Sequence, residues 1–147
     1  MRVVLDTNIL ARSFYRFNGP AREVLERVSG PPHVLVLSTA VLDELREVLN
    51  YPRLRNLHRL SDEAIARFLD RLQREALILN VPAAMVGILD DPRDATVLAA
   101  AVVGHANVIC TLDRHFYQAS VREYCAQGMI EVMDDIALLA RLREGNE

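Results

Sequence analysis

Four acids in this chain stand where an apolar segment ends or where the next helix begins: Asp6, Glu44, Asp94 and Asp113. The first closes VVLDTN, an apolar run that stops on an acid, a hydroxyl and an amide. A lone Asp there would only cap a helix beginning near Ile9. Four carboxylates converging on one place carry a different implication. Unit charges about 6 Å apart repel by roughly 3 kcal/mol at an effective dielectric of about 20, so four crowded together cost more than about 10 kcal/mol. That rivals the ~5–15 kcal/mol stability of a whole domain. Either several acids hold protons or a cation neutralises them, and hard oxygen donors without His or Cys favour Mg2+ or Mn2+.

Whether the acids converge depends on the elements between them. Arg2 to Leu5 reads as a first strand, followed by a short helix around Ile9 to Arg16. NGPAREVLERVSG carries helix signals at both ends, Pro20 in the first turn and Gly30 after the last. HVLVLS is a second buried strand, and Ser38 or Thr39 can cap a helix that NYP ends near Asn50. Ser61 opens an amphipathic helix through Ile65, Leu69, Leu72 and Ala76. LILNV at 77–81 reads as strand three, and DPRDATVLAAAVVG runs as a helix from Pro92 to a stop at Gly104. NVICTLD supplies strand four, followed by a helix near Ser120 to Gln127, a short strand at Met129 to Val132 and a last helix from Asp134 to Arg143.

Strands separated by helices imply a mostly parallel sheet with helices on both faces, a three-layer α/β/α arrangement. In such a sheet every strand ends at the same edge, where ligands collect. Asp6 directly follows strand one, Glu44 lies in the second turn of the helix after strand two, Asp94 starts the helix after strand three, and Asp113 directly follows strand four. Helical phase separates Glu44 from its competitors. At 100° per residue Val41, Leu45 and Val48 define the inward stripe, Glu44 lies about 40° from Val48, and Asp43 and Glu47 lie farther off. The same count aligns Asp94 with Leu98 and Ala101; the directions of Asp90 and Asp91 stay open.

With 147 residues and 51% apolar composition, the chain suits one domain spanning 1–147 with a sizeable core. Its apolar stretches fall short of the roughly 20 residues a membrane helix needs, and the N-terminus lacks a signal-peptide pattern, so a cytoplasmic location is expected. Cys110 and Cys125 read as core hydrophobes. The net charge of −3 carries no overall signature of nucleic-acid binding. All 17 basic residues are Arg, and Arg46, Arg53, Arg55, His58 and Arg59 form a basic stretch that reads first as a solvated loop. Arg12 and Arg16 after strand one, with Arg53, Arg55 and Arg59, are the candidates for holding phosphates beside the acids.

Over essentially its whole length the sequence resembles the PIN domain family of nucleases. The resemblance is carried by LDTN, STAVLDELREVL, DDPRDATVLAAA and ICTLD, in that order and spacing. It implies a PIN-like fold and, from the chain's size, the toxin component of a toxin–antitoxin pair. It further implies an endoribonuclease dependent on Mg2+ or Mn2+, hydrolysing RNA phosphodiester bonds, a homodimer held inactive by a small antitoxin. Asp6, Glu44, Asp94 and Asp113 match the family's acidic metal-site positions, and Thr7, Asn8 and Thr111 its supporting polar ones. The chain departs from the family's pattern at Arg93, Leu112 and His115, which leaves one or two ions open. The mechanism would be metal-assisted hydrolysis, the ion lowering the pKa of the attacking water and stabilising charge at phosphorus. His115, beside Asp113, is a candidate general base against which a surface or packing role weighs more heavily. His33, His58 and His105 have no zinc-like spacing.

Rival activities leave other marks. A phosphatase of the haloacid dehalogenase type needs a second Asp where Asn8 stands, and a phospho-acceptor domain usually needs a Lys, of which there is none. A catalytically silent binding module, an RNA-processing nuclease and a DNA-acting one remain alternatives.

Overall fold

The computed structural model describes residues 1–81 and 92–145, the side chains of 92 and 93 excepted. Asp90 and Asp91 lie outside the described residues, and so does the Arg93 side chain. In chain order the elements are β1 (Arg2–Leu5), α1 (Thr7–Tyr15), α2 (Pro20–Val28), β2 (Val34–Ser38), α3 (Thr39–Leu49), α4 (Pro52–His58), α5 (Asp62–Glu75) and β3 (Leu77–Leu79). After these come α6 (Pro92–Val103), β4 (Val108–Cys110), a 3-10 turn (Arg114–Tyr117), α7 (Ala119–Gln127), β5 (Glu131–Met133) and α8 (Asp135–Glu144).

The five strands form one sheet in the order β3-β2-β1-β4-β5, every pair parallel. Val3, Val4 and Leu5 are all fully buried although successive strand residues point to opposite faces, so β1 is covered on both sides. This is the expected three-layer α/β/α architecture. Strand order runs outward from β1 in both directions, which places a topological switch point between β1 and β4. The end of α6 is set by Gly104, where a Cβ would stand 2.7 Å from Val36 Cγ1 of β2. Only glycine lets the end of α6 approach β2 so closely. No described helix is long and apolar enough to cross a membrane.

Local signals place most boundaries. Ser38 caps α3 by accepting from the Val41 N–H, and Ser61 caps α5 by accepting from Ala64. Cys110 and Cys125 are buried, one in β4 and one in α7. Some boundaries differ from the sequence-based expectation. Helix α1 starts at Thr7, two residues early, because Asp6 itself is the cap. β3 stops at Leu79, and β5 begins at Glu131, where it pairs with Val108. The basic stretch expected to be a loop contains α4, with Pro52 at its first position. Its anchors are tertiary: His58 packs edge-on against Phe14 of α1 at 5.4 Å and bonds the Leu49 carbonyl at 3.1 Å. A stretch without a strong apolar stripe is helical because α1 and α3 give it partners.

Candidate functional site

At the carboxyl edge of the sheet lies a pocket of about 250 Å3 lined by Asp6, Thr7, Asn8, Glu44, Val48, Asp94 and Asp113. The four acids singled out from sequence therefore face one space. Val48 is expected on the inward stripe rather than at the pocket; the signal for its true position is its place one turn after Glu44. Of the competing acids on α3, Asp43 pairs with Arg46 at 3.4 Å and both it and Glu47 are exposed.

Polar side chains hold the acids from below. Asp6 ends β1, and its Oδ1 accepts from the Thr7 N–H at 2.7 Å, so the helix-cap role is real. Its other oxygen is used differently. Oδ2 accepts from the Thr111 hydroxyl at 2.7 Å and, more distantly, from Asn8 Nδ2 at 3.4 Å. Thr111, fully buried past the end of β4, also accepts from the Asp113 N–H at 3.0 Å, and Asn8 Oδ1 accepts from the Leu112 N–H at 3.2 Å. The ends of the two neighbouring strands are thereby tied together across the switch point. Thr7 donates its hydroxyl to Glu44 Oε2 at 3.0 Å, linking α1 to α3.

Asp94 and Asp113 meet at the third side of the pocket. Asp113 Oδ1 accepts from the His115 N–H at 3.0 Å and caps the 3-10 turn. His115 Nδ1 lies 3.1 Å from Asp94 Oδ2 and 3.5 Å from Asp113 Oδ1. Asp94, Asp113 and His115 each offer one ligand atom, all within 4.8 Å of one another. A histidine that reads from sequence first as a surface or packing residue thus reaches two acids of the pocket, although its ring is more than half exposed. Its spacing two residues after Asp113 is visible in the sequence; its direction, set by the 3-10 turn, is not.

Electrostatics follow from burial. Asp6 is 7% exposed, and desolvation pushes its carboxyl from 3.8 up to about 6, with the charges of Glu44 and Asp113 adding to the rise and the Thr111 and Thr7 hydrogen bonds opposing it. A buried acid with a raised pKa among other acids is the arrangement a hard cation would relieve. The polar residues lining the pocket carry carboxylate, hydroxyl and amide oxygens, a set that fits Mg2+ or Mn2+.

The predicted phosphate-holding arginines are spread over two elements. Arg12 lies one turn after Asn8 on α1, so it shares that face, and its Nη1 is 3.9 Å from Asp135 Oδ2. Arg16 is exposed at the end of α1, over the Tyr15 ring. Arg55 donates to the Leu60 carbonyl at 2.7 Å and pairs with Asp62. Arg53 and Arg59 are exposed on and just after α4. The Phe14–His58 contact sets the α4 segment against α1.

A family model described as PIN domain matches residues 2–115, a span containing all four acids. Solved structures share the fold. VapBC2 from Rickettsia felis, bound to a DNA fragment from their promoter, aligns with a TM-score of 0.60 and 15% identity, covering 91% of this chain and 98% of that one. FitAcB from Neisseria gonorrhoeae gives a TM-score of 0.54 and 16% identity over 90% and 97%, and FitAB bound to an IR36 DNA fragment 0.56 and 17% over 90% and 94%. No curated protein matches the sequence.

Proposed function

Because the chain belongs to the PIN domain family, we propose that it is a metal-dependent endoribonuclease, one domain over residues 1–147, acting as the toxin of a toxin–antitoxin pair. The observation that carries the reading is the pocket in which Asp6, Glu44, Asp94 and Asp113 converge, with Asp6 buried and its carboxyl raised to about 6. These four residues would hold Mg2+ or Mn2+. When bound, such an ion acidifies the attacking water and offsets charge developing on the phosphate oxygens.

The chain's own contribution is positioning. Thr111 and Thr7 orient Asp6 and Glu44 through their hydroxyls, and Asn8 fixes the Leu112 amide, so the carboxylates need not reorganise when a cation and substrate arrive. Exposed Arg53 and Arg59 could take RNA phosphates without giving up a carboxylate partner, whereas Arg12, Arg16 and Arg55 would first exchange present contacts.

The partner proposals rest on different support. A small antitoxin is proposed from the fold shared with the VapBC2 and FitAB assemblies. Self-association is expected from sequence through the helices at 65–76 and 95–103. The stripe Ile65, Leu69 and Leu72 is consumed by the chain's own core, which leaves exposed Val102 and Val103 on α6 as the surface for a homodimer. A cytoplasmic site of action accords with an RNA substrate.

The deciding experiment incubates the purified protein with a single-stranded RNA and the DNA of the same sequence, in Mg2+, in Mn2+ and in EDTA. Cleavage of the RNA that requires either ion supports the proposal. Inertness toward both polymers in both ions would overturn it in favour of a silent binding module, and cleavage of DNA alone would make it a DNA-acting nuclease. Growth arrest on expression, relieved by the neighbouring reading frame's small protein, tests the toxin assignment.

A further inference from the structure

Among the described residues, one nitrogen donor stands within the acidic cluster. His115 Nδ1 is 3.1 Å from Asp94 Oδ2 and 3.5 Å from Asp113 Oδ1, and the three candidate ligand atoms span no more than 4.8 Å. In an octahedral site with bonds near 2.1 Å, adjacent ligands stand about 3 Å apart and opposite ones about 4.2 Å. The two separations from His115 are therefore close to those of adjacent ligands on a single ion. The turn that carries the imidazole is also fixed. The His115 N–H donates to Asp113, the next residue, Phe116, is fully buried, and the Tyr117 hydroxyl donates to the Thr111 carbonyl at 2.7 Å. The turn that carries Asp113 carries the ring with it.

From this geometry we infer that His115 is a direct ligand of the metal ion, making the site carboxylate plus imidazole and turning its preference toward Mn2+ over Mg2+. The inference rests on the metal-dependent reading above and specifies which donors that site uses. A nitrogen donor is chemically consequential because carboxylate and water suit Mg2+ and Mn2+ alike, whereas imidazole adds affinity for first-row transition ions and little for Mg2+. A ring that only hydrogen-bonded to Asp94 from outside would steady the carboxylate without discriminating between the two ions.

The test reads the metal rather than turnover. Pulsed EPR on Mn2+-loaded protein should show a directly coordinated 14N coupling that disappears in His115→Gln and in His115→Asp. Calorimetry should show Mn2+ affinity falling by at least about tenfold in His115→Gln, the lower limit typical of losing even an outer partner of a ligand, while Mg2+ affinity changes by much less. His115→Asp, which replaces the nitrogen with an oxygen, should lower the ratio of Mn2+ to Mg2+ affinity below that of the wild type. Because the side chain is largely exposed, both variants should keep the wild-type circular dichroism spectrum. Wild-type protein that binds Mn2+ without nitrogen coupling overturns this inference and leaves the nuclease proposal intact. Coupling that persists in both variants assigns the nitrogen elsewhere and also overturns it. Wild-type protein that binds neither ion removes the metal site, and the inference with it.

Discussion

Asp6 and Glu23 are both hydrogen-bonded carboxylates, yet their proton affinities move in opposite directions. Glu23 lies on the surface of α2, where Arg143 of α8 grips it at 2.7 and 2.9 Å and Arg27 reaches it at 2.9 Å; those guanidiniums pull its carboxyl from 4.5 down to about 2. Asp6 is buried, its hydrogen bonds come from hydroxyl and amide groups, and its charged neighbours Glu44 and Asp113 are acids, so it rises to about 6. Where a carboxylate serves architecture, this chain supplies the countercharge from its own arginines. At the carboxyl edge of the sheet it gathers acids instead, and ionised Asp6 is held at a cost of about 3 kcal/mol at neutral pH. On the proposed reading, a bound cation would relieve that strain.

The largest effect that tests this contrast is on activity. Asp6→Asn and Asp94→Asn should each lower cleavage by at least about 10²-fold, the scale of losing one electrostatic stabiliser at a reacting centre. Single-turnover assays with RNA in Mg2+ and Mn2+ measure it. Variants that retained near wild-type rates would show the acids to be architectural like Glu23.

Stability should respond next. Mg2+ at about 100 times its dissociation constant should stabilise the wild type by about 2.7 kcal/mol, a rise in Tm on the order of 5–10 °C for a chain of this size, and should stabilise Asp6→Asn less. In EDTA the signs reverse. The folded-state value for Asp6 lies above the unfolded one, so its ionisation penalty is absent below about pH 4, grows as pH rises through about 6, and is complete above it. Asp6→Asn should therefore be at least as stable as the wild type at pH 7, the advantage shrinking as pH falls. If Asp6 were a helix cap alone, the variant would be no more stable at any pH and Mg2+ would change nothing.

A smaller effect concerns the arginines that are not committed to a carboxylate. Replacing exposed Arg53 and Arg59 with Ala should weaken RNA binding and reduce the slope of log affinity against log salt by about 1.4, the change expected when two phosphates of a single strand are no longer neutralised. Fluorescence anisotropy of catalytically inactive protein across a salt series would measure it, and an unchanged slope would remove both residues from the substrate path.

The smallest change is expected at Glu23. Its folded-state value is depressed, so the Arg143 pairing contributes above about pH 4.5 and is lost as pH falls toward about 2. Glu23→Gln should lower Tm slightly at pH 7 and leave cleavage untouched, because exposed ion pairs are worth little. A loss of activity there would mean that α2 and α8 are coupled to the pocket.

Much of the site was legible because it depends on counting. Apolar runs at the spacing of strands, helices between them, and one parallel sheet oblige Asp6 and Asp113 to end strands at the same edge, and helical phase alone separates Glu44 from Asp43 and Glu47. Those properties are local and periodic, so the sequence by itself determined the fold class, the four acids and the edge at which they meet. Tertiary structure decided the rest. α4 has no strong stripe of its own and is helical where Phe14 and the Leu49 carbonyl receive His58; α5, expected to have apolar surface left over for self-association, has its stripe Ile65, Leu69 and Leu72 buried by the chain itself. His115 points at Asp94 through a 3-10 turn whose direction is set by buried Phe116 and by Tyr117 bonding back to Thr111. Contacts between residues far apart in the chain obey no period, and only the folded arrangement of β1, β4 and α6 brings these groups within reach of one another.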